Sequence, residues 1–271
     1  MRIGFIGGGN MAAALVGGLI ARGTSAGSIR VVEPVATQRD ALRTRFGIET
    51  FEQAGSDALA GVDLVVLAVK PQQMREAVAP LAPLLRDALV VSVAAGIRAR
   101  DLSRWLDGHR RIVRAMPNTP ALIGMGVTGL AALPALGAAD RETAERVLGA
   151  VGPTVWVDDE SLLDAVTALS GSGPAYVFLF MEALQDAALA LGLDAQQARA
   201  LTLHTVAGAA QLALHSDEPP AALRERVTSR GGTTAAALAV LEAGGLRGLV
   251  SRALQAAQQR SVEMGDEFGR D

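Results

Sequence analysis

The first half of the chain sets short, unbroken apolar runs between stretches with helical spacing. Residues 2–6, 29–33, 63–69, 89–93, 111–115, 127–131 and 154–157 are each of strand length and mostly apolar. Continuous rather than alternating apolar strands suit a sheet covered on both faces by helices. Between the first two runs, residues 10–22 put Met11, Leu15, Leu19 and Ile20 on one helical face. Residues 36–46 read as a second helix, closed by Phe46-Gly47. This alternation predicts βαβ units and a mainly parallel sheet.

From about residue 160 the strand signals stop and Ala/Leu-rich helical patterns take over. Residues 174–191 open on Pro174, a favourable first-turn residue, and end at Gly192. Asp194 with Gln197 three positions on reads as a capping box, starting a helix that runs to about His215. Pro219-Pro220 opens a short helix, Thr233 another, and residues 246–264 form the last. The predicted organisation is an α/β domain over residues 1–158 followed by an all-helical domain over residues 159–271.

Composition narrows the chemistry. Of 25 basic residues only Lys70 is a lysine, and Pro71 follows it, so there is no P-loop. A Schiff base could form only at Lys70. The chain has no Cys, which excludes disulfides, thiolate nucleophiles and Cys-ligated zinc, and no metal site is expected. A net charge of −3 gives no footprint for nucleic acid. Half the residues are hydrophobic, so membrane readings need testing. Residues 3–21 are uncharged, but Gly7-Gly8-Gly9-Asn10 interrupts them; residues 121–139 are broken by Gly124, Gly126, Gly129 and Pro134. Neither reads as a span of roughly 20 strongly apolar residues. The expectation is a cytoplasmic protein with neither membrane nor nucleic-acid partner.

Gly7-x-Gly9-x-x-Ala12 follows the first strand and opens the first helix. The first Gly permits a tight turn, the second lets backbone approach a pyrophosphate, and the third position must be small for helix and strand to pack. The phosphates would sit on free amides at the helix start. Ile6, Gly7, Gly8, Gly9, Asn10, Met11 and Ala12 are therefore candidate cofactor residues, and the α/β domain reads as Rossmann-like. The bland alternative is a Gly-rich turn in an ordinary βα unit. Glu33 ends the second strand, about 21 residues beyond Ala12, where a carboxylate accepts from a ribose diol and repels a 2′-phosphate. Arg39 could compensate for a phosphate, so NADPH and NADH both stay open. Three further loops would leave the same sheet edge: Ala68-Val69-Lys70-Pro71, Ala94-Ala95-Gly96 after Val93, and the loop holding Asn118. Each is ordinary turn chemistry taken singly; together with the Gly-rich loop they suggest a cofactor trough.

Gly231-Gly232-Thr233-Thr234 precedes a helix with no charge in its first two turns. Such a helix start offers N–H groups and a positive dipole end to a carboxylate, although Thr233 could merely N-cap the helix. This segment, with Gly171-Ser172-Gly173-Pro174-Ala175-Tyr176, resembles the pyrroline-5-carboxylate reductase family. The FIGGGNM, AVKP, AAG, RAMPNTP and DAVTALSGSGPAY stretches stand in the family's order, so the resemblance covers essentially the whole chain.

The resemblance implies NADPH- or NADH-dependent reduction of 1-pyrroline-5-carboxylate to L-proline by hydride transfer to the protonated cyclic imine. It also implies a helical dimerisation and substrate domain, a homodimer or ring of dimers, and an active site between nucleotide loops and helices of the dimer. Asp217, Ser229, Gly232, Thr233 and Thr234 would bind substrate, with Thr234 as the catalytic candidate. Asp217 stands where relatives often carry Glu, and Glu218 could substitute. Glu33-Pro34-Val35 replaces the Ser, Thr or Asn that NADPH-using relatives often carry, and Ala54 stands where some place Asn. The hydroxyacid dehydrogenases of similar architecture rely on a Lys in the helical domain, and none follows residue 70. His204 is expected to be a helix-packing residue, His109 to lie on a surface loop, and His215 to lie near the substrate loop without a chemical role. Gly23-Thr24-Ser25-Ala26-Gly27 matches a nucleophile elbow but falls between helix and strand, the wrong order.

Overall fold

The computed structural model describes residues 1–134 and 136–270. Residues 1–172 and those from 256 onward form one compact unit, and residues 173–255 a second. The strands are β1 (Ile3–Ile6), β2 (Ile29–Val32), β3 (Glu49–Phe51), β4 (Leu64–Leu67), β5 (Leu89–Ser92), β6 (Ile112–Met116), β7 (Thr128–Ala132) and β8 (Thr154–Trp156). The first unit's helices are α1 (Asn10–Ala21), α2 (Ala36–Phe46), α3 (Ser56–Leu59), α4 (Pro71–Val78), α5 (Ala82–Leu85), α6 (Ala99–Trp105), α7 (Ala138–Leu148) and α8 (Leu162–Val166). The second holds α9 (Gly173–Ala190), α10 (Ala195–Leu214), α11 (Pro220–Arg226) and α12 (Thr233–Ala243). The last helix, α13 (Leu246–Phe268), begins in the second unit and finishes in the first.

The eight strands make one sheet in the order β3-β2-β1-β4-β5-β6-β7-β8. Every pairing is parallel except β6 with β7. Only a loop with a single 3₁₀ turn, Thr119–Ile123, joins β6 to β7. A parallel return needs a crossover of a dozen or more residues, so β7 runs back beside β6, and α7 then allows β8 to run parallel to it.

The apolar runs are explained by burial on both faces. Ile3, Phe5, Leu64 and Val66 join a core with α1 and α7, while Ile6, Val65 and Leu67 join a core with α4 and α6. Successive side chains of one strand point to opposite faces, so β1 and β4 carry no polar side chain at any position. Ala12 is fully buried in the first core, which fits a position that must be small.

Beyond shifts of one residue at several ends, the structure differs from the sequence reading as follows. β3 is absent from it, because a three-residue edge strand containing Glu49 and Thr50 carries no apolar run. The run expected at residues 63–69 forms strand only over Leu64–Leu67; Ala68 and Val69 turn toward Pro71. The last helix extends four residues past Met264.

In the second unit the Asp194 capping box forms as read. Its carboxylate accepts from Gln197 N at 2.8 Å, and the Gln197 side chain accepts from Asp194 N at 3.1 Å. α9 and α10 pack together, yet α9 and α12 bury no residue and α10 buries only Ala198 and Thr202. Leu179, Leu191, Leu212, Leu214 and Val240 are all exposed, Leu191 at 87%. The helical stretch Leu162–Ala190 has the length and apolarity of a membrane-crossing helix, as does the bent pair α12 and α13 taken together.

Candidate dinucleotide and substrate sites

The sheet grows outward from β1 in both directions, with β2 on one side and β4 on the other. Loops leaving strands at such a switch point diverge and open a crevice. Ile6 ends β1 and is followed by the Gly-rich loop. Gly7 has φ +98°, and its N–H donates to Val32 O at 2.8 Å. A Cβ at Gly7 would lie 2.7 Å from Ala68 O, so the loops after β1 and β4 touch through a position only Gly can fill. Gly9 N-caps α1, and a Cβ there would meet nothing within 4 Å. No side chain caps this helix and no acidic residue lies in its first turn, which Asn10 and Met11 begin. An open, uncapped, acid-free helix start beside a Gly turn fits a dinucleotide pyrophosphate.

Glu33 follows β2 and is 6% exposed. Its Oε2 accepts from Gly8 N at 2.8 Å and its Oε1 from Val35 N at 2.9 Å. Arg39 Nη1 donates to the carbonyls of Glu33 and Pro34, each at 2.7 Å, and Nη2 pairs with Glu52 at 3.3 Å.

The other loops start in register with this one. Ala68 N donates to Ile6 O at 2.8 Å, and Val93 N to Leu67 O at 3.1 Å. Lys70 N-caps α4 and Pro71 is its first residue; the Lys70 side chain is exposed. Ala94 is buried, Ala95 half-buried, and Gly96 has φ +72°. After β6, Asn118 Oδ1 accepts from Val127 N at 3.0 Å and Nδ2 donates to Ser170 O at 3.1 Å. The structure therefore brings the predicted cofactor residues to the carboxyl edge of β1, β2, β4, β5 and β6.

Two supports of this edge escape sequence reasoning. Residues Thr167–Gly171 form a π turn, which presents Ser170 O to Asn118. A Cβ at Gly171 would lie 2.5 Å from Met116 Cε, so the turn sits directly on the end of β6. The second is Glu160. Its Oε1 accepts from Arg114 Nη1 at 2.8 Å and from Ala99 N at 2.7 Å, tying β6 to the start of α6. Arg114 is 8% exposed. Beside it, Ser161 N donates to Asp159 at 2.8 Å and holds that carboxyl below its ordinary pKa. The only advance signal was the run of small and hydroxyl residues in Thr167–Gly171.

In the second unit, Gly231 has φ +71° and Gly232 N-caps α12. Thr233 and Thr234 are its first two residues, so Thr233 is not the N-cap. Gly232 N donates to Ser229 O at 3.1 Å, and a Cβ at Gly232 would lie 2.4 Å from Ser229 Oγ. Ser229, Gly232, Thr233 and Thr234 thus share one turn, with no side-chain cap and no acid at the helix start. Asp217 is not joined to it: it is exposed between α10 and α11, with no hydrogen bond to that turn among the described residues. Glu218 pairs instead with Arg226.

The histidines take no part in either cluster. His109 lies in a loop but is half-buried, its Nε2 2.9 Å from Ala88 O. His204, expected as a helix-packing residue, is exposed on α10 in the single chain, where α10 buries only Ala198 and Thr202. His215 ends α10, with Nδ1 2.8 Å from Gln211 O. Among the described residues no three His, Cys, Asp or Glu side chains converge as a metal site.

Sheet, switch-point crevice and uncapped helix start define a Rossmann-type, dinucleotide-dependent oxidoreductase carrying a separate helical segment. The chain is 51% identical over 269 residues to a pyrroline-5-carboxylate reductase of Pseudomonas aeruginosa, covering 99% of this chain and 98% of the relative. It belongs to the pyrroline-5-carboxylate reductase family. Residues 160–264 match the family model described as pyrroline-5-carboxylate reductase dimerisation, and residues 2–96 the one described as NADP oxidoreductase coenzyme F420-dependent. A solved pyrroline-5-carboxylate reductase from Coxiella burnetii superimposes with TM-score 0.93 at 44% identity, covering 97% of this chain and 98% of that one. The Plasmodium falciparum pyrroline carboxylate reductase, solved with NADP bound, gives TM-score 0.84 at 28% identity and covers 98% of both chains.

Proposed function

We propose that this chain reduces 1-pyrroline-5-carboxylate to L-proline, the final step of proline biosynthesis, with NADPH or NADH as reductant. The observation that carries the substrate assignment is the Ser229–Thr234 turn. Gly231 and Gly232 leave the backbone open, and α12 presents its first amides without cap or acid. A carboxylate is the group such a helix start receives best.

In this reading the amides of Thr233 and Thr234 and the Thr234 hydroxyl hold the substrate carboxylate, with Ser229 and Gly232 shaping the turn. Ile6 to Ala12, Glu33, Ala68 to Pro71, Val93 to Ala95 and Asn118 hold the dinucleotide. When bound, the reduced nicotinamide supplies the hydride. The cyclic imine is protonated readily, so this chain's residues act mainly by orienting the ring and stabilising charge.

We read the chain as a cytoplasmic homodimer or ring of dimers, with the apolar helical surfaces of residues 173–255 as subunit interface and no membrane or nucleic-acid partner. The deciding experiment is oxidation of NADPH and NADH by the purified chain with 1-pyrroline-5-carboxylate. Turnover is expected with both. In Thr234→Ala we expect kcat/KM for the imine to fall at least roughly tenfold, the scale of one lost hydrogen bond to a charged group. Its dinucleotide affinity should be kept. Unchanged kinetics would remove Thr234 from the site.

A further inference from the structure

We infer that Glu33 makes this chain discriminate against the 2′-phosphate, so that NADH is favoured over NADPH. The inference deepens the proposed function and rests on its placement of a dinucleotide at the Gly-rich loop.

Glu33 stands at the end of β2, where the adenosine ribose lies in a switch-point site. Its carboxylate is fixed in place. Oε2 accepts from Gly8 N in the Gly-rich loop and Oε1 from Val35 N at the start of α2. The stem is packed flat: a Cβ on Gly8 would come within 3.1 Å of both Glu33 Cβ and Cγ. Swinging the side chain aside would strip Gly8 and Val35 of these partners, a cost comparable to lost buried hydrogen bonds.

A carboxylate offers about four lone-pair directions. One on each oxygen is used by an amide, which leaves one on each for the two hydroxyls of a ribose diol. A 2′-phosphate is largely dianionic at neutral pH. It brings acceptors and negative charge where acceptors and negative charge already stand.

Among the described residues, the guanidinium groups beside Glu33 are not free to offset that conflict. Pro34 has no N–H, and Val35 N is taken by Glu33 itself. Arg39, the guanidinium placed to receive a phosphate, is folded back onto the carbonyls of Glu33 and Pro34 and paired with Glu52. Its side chain is 15% exposed. Arg43, one helical turn further, pairs with Asp40. The immediate surroundings of the ribose position thus hold Glu33 and Glu52 against the Arg39 charge. That balance departs from a phosphate-binding arrangement.

Direct binding separates this inference from the proposed reaction. Dissociation constants of NADH and NADPH are measured by calorimetry without imine, for the wild-type chain, Glu33→Gln, Glu33→Ser and Arg39→Ala. Wild type should bind NADH at least roughly tenfold more tightly than NADPH, a modest share of the repulsion between a carboxylate and a nearby phosphate. Both Glu33 variants should move the NADH-to-NADPH ratio toward NADPH by a similar factor, whatever happens to the absolute affinities. Loss of the Gly8 brace alone would weaken both dinucleotides and leave the ratio unmoved, and that result overturns the inference. So does wild-type binding of NADPH as tight as NADH, or an Arg39→Ala variant that loses NADPH selectively. Failure of both dinucleotides to bind any variant or the wild type would count against the proposed function as well. Circular dichroism of each variant guards against misfolding, and Glu33→Gln is the conservative form should Glu33→Ser not fold.

Discussion

Arg114 sits enclosed in the middle of a buried strand, and the carboxylate it pairs with lies 46 positions further along the chain. Glu160 answers both this guanidinium and the first amide of α6 with a single oxygen. Removing one member of an enclosed pair leaves the other charge without a partner. Glu160→Ala is therefore expected to destabilise the fold by about 2–3 kcal/mol, measured by thermal or denaturant unfolding. Glu160→Gln, which keeps an acceptor for Ala99 N, should lose less. Equal stability of wild type and Glu160→Ala would show the pair to be solvated in practice. Such a contact was invisible in the sequence, because nothing local links residues 46 positions apart; the same holds for Asn118 and Ser170. Gly7, Gly9 and Ala12 were legible for the opposite reason. Their requirements arise from one tight turn and one close helix–strand approach, and three nearby letters record both. Glu33 was legible in position but not in posture, since its two amide partners depend on how the loop after β1 folds over β2. Lys70, singled out as the lone lysine, proves to be an exposed residue at the start of α4.

Elements followed the same division between local and distant causes. The capping box at Asp194 and Gln197 was readable because both halves lie within one turn, and it forms as expected. Asp194→Ala should cost about 1 kcal/mol and lower the Tm by about 2–4 °C. A Tm unchanged in calorimetry would mean that the helix start is held by packing instead. β3 was missed because an edge strand needs no apolar run; its backbone pairing with β2 decides its state. The direction of β7 was likewise unwritten in its own residues. It follows from the brevity of the β6–β7 connection, and so from the absence of a crossover helix there. The π turn at Thr167–Gly171 depends on tertiary fit against Met116, which a periodicity reading cannot weigh.

At the scale of the molecule, the second unit has helices without a core of their own. Exposed Leu179, Leu191, Leu212, Leu214 and Val240 form more apolar surface than isolated exposed residues would explain. The dimerisation match over residues 160–264 accounts for it by homo-oligomer formation. Sedimentation at micromolar concentration should give a homo-oligomer, and Leu179→Arg or Leu212→Arg should shift it toward smaller or aggregated species. An unchanged distribution for both would exclude these surfaces from the interface. The change from strand–helix alternation to helices alone was legible near residue 160, whereas the compact units divide after residue 172. What sequence did not reveal is that the chain returns. The end of α13 meets α6 of the first unit, where Arg98 pairs with Asp266 at 2.6 Å and Arg104 donates to Gly269 O at 2.7 Å. That return sets a timetable for synthesis. On the ribosome, the strands and helices of residues 1–172 emerge early, but the segment that completes their unit is translated only after all of residues 173–255. The first unit is therefore completed only after the helical half has been made, and a chain that stops at residue 255 would carry the whole second unit but an unfinished first one.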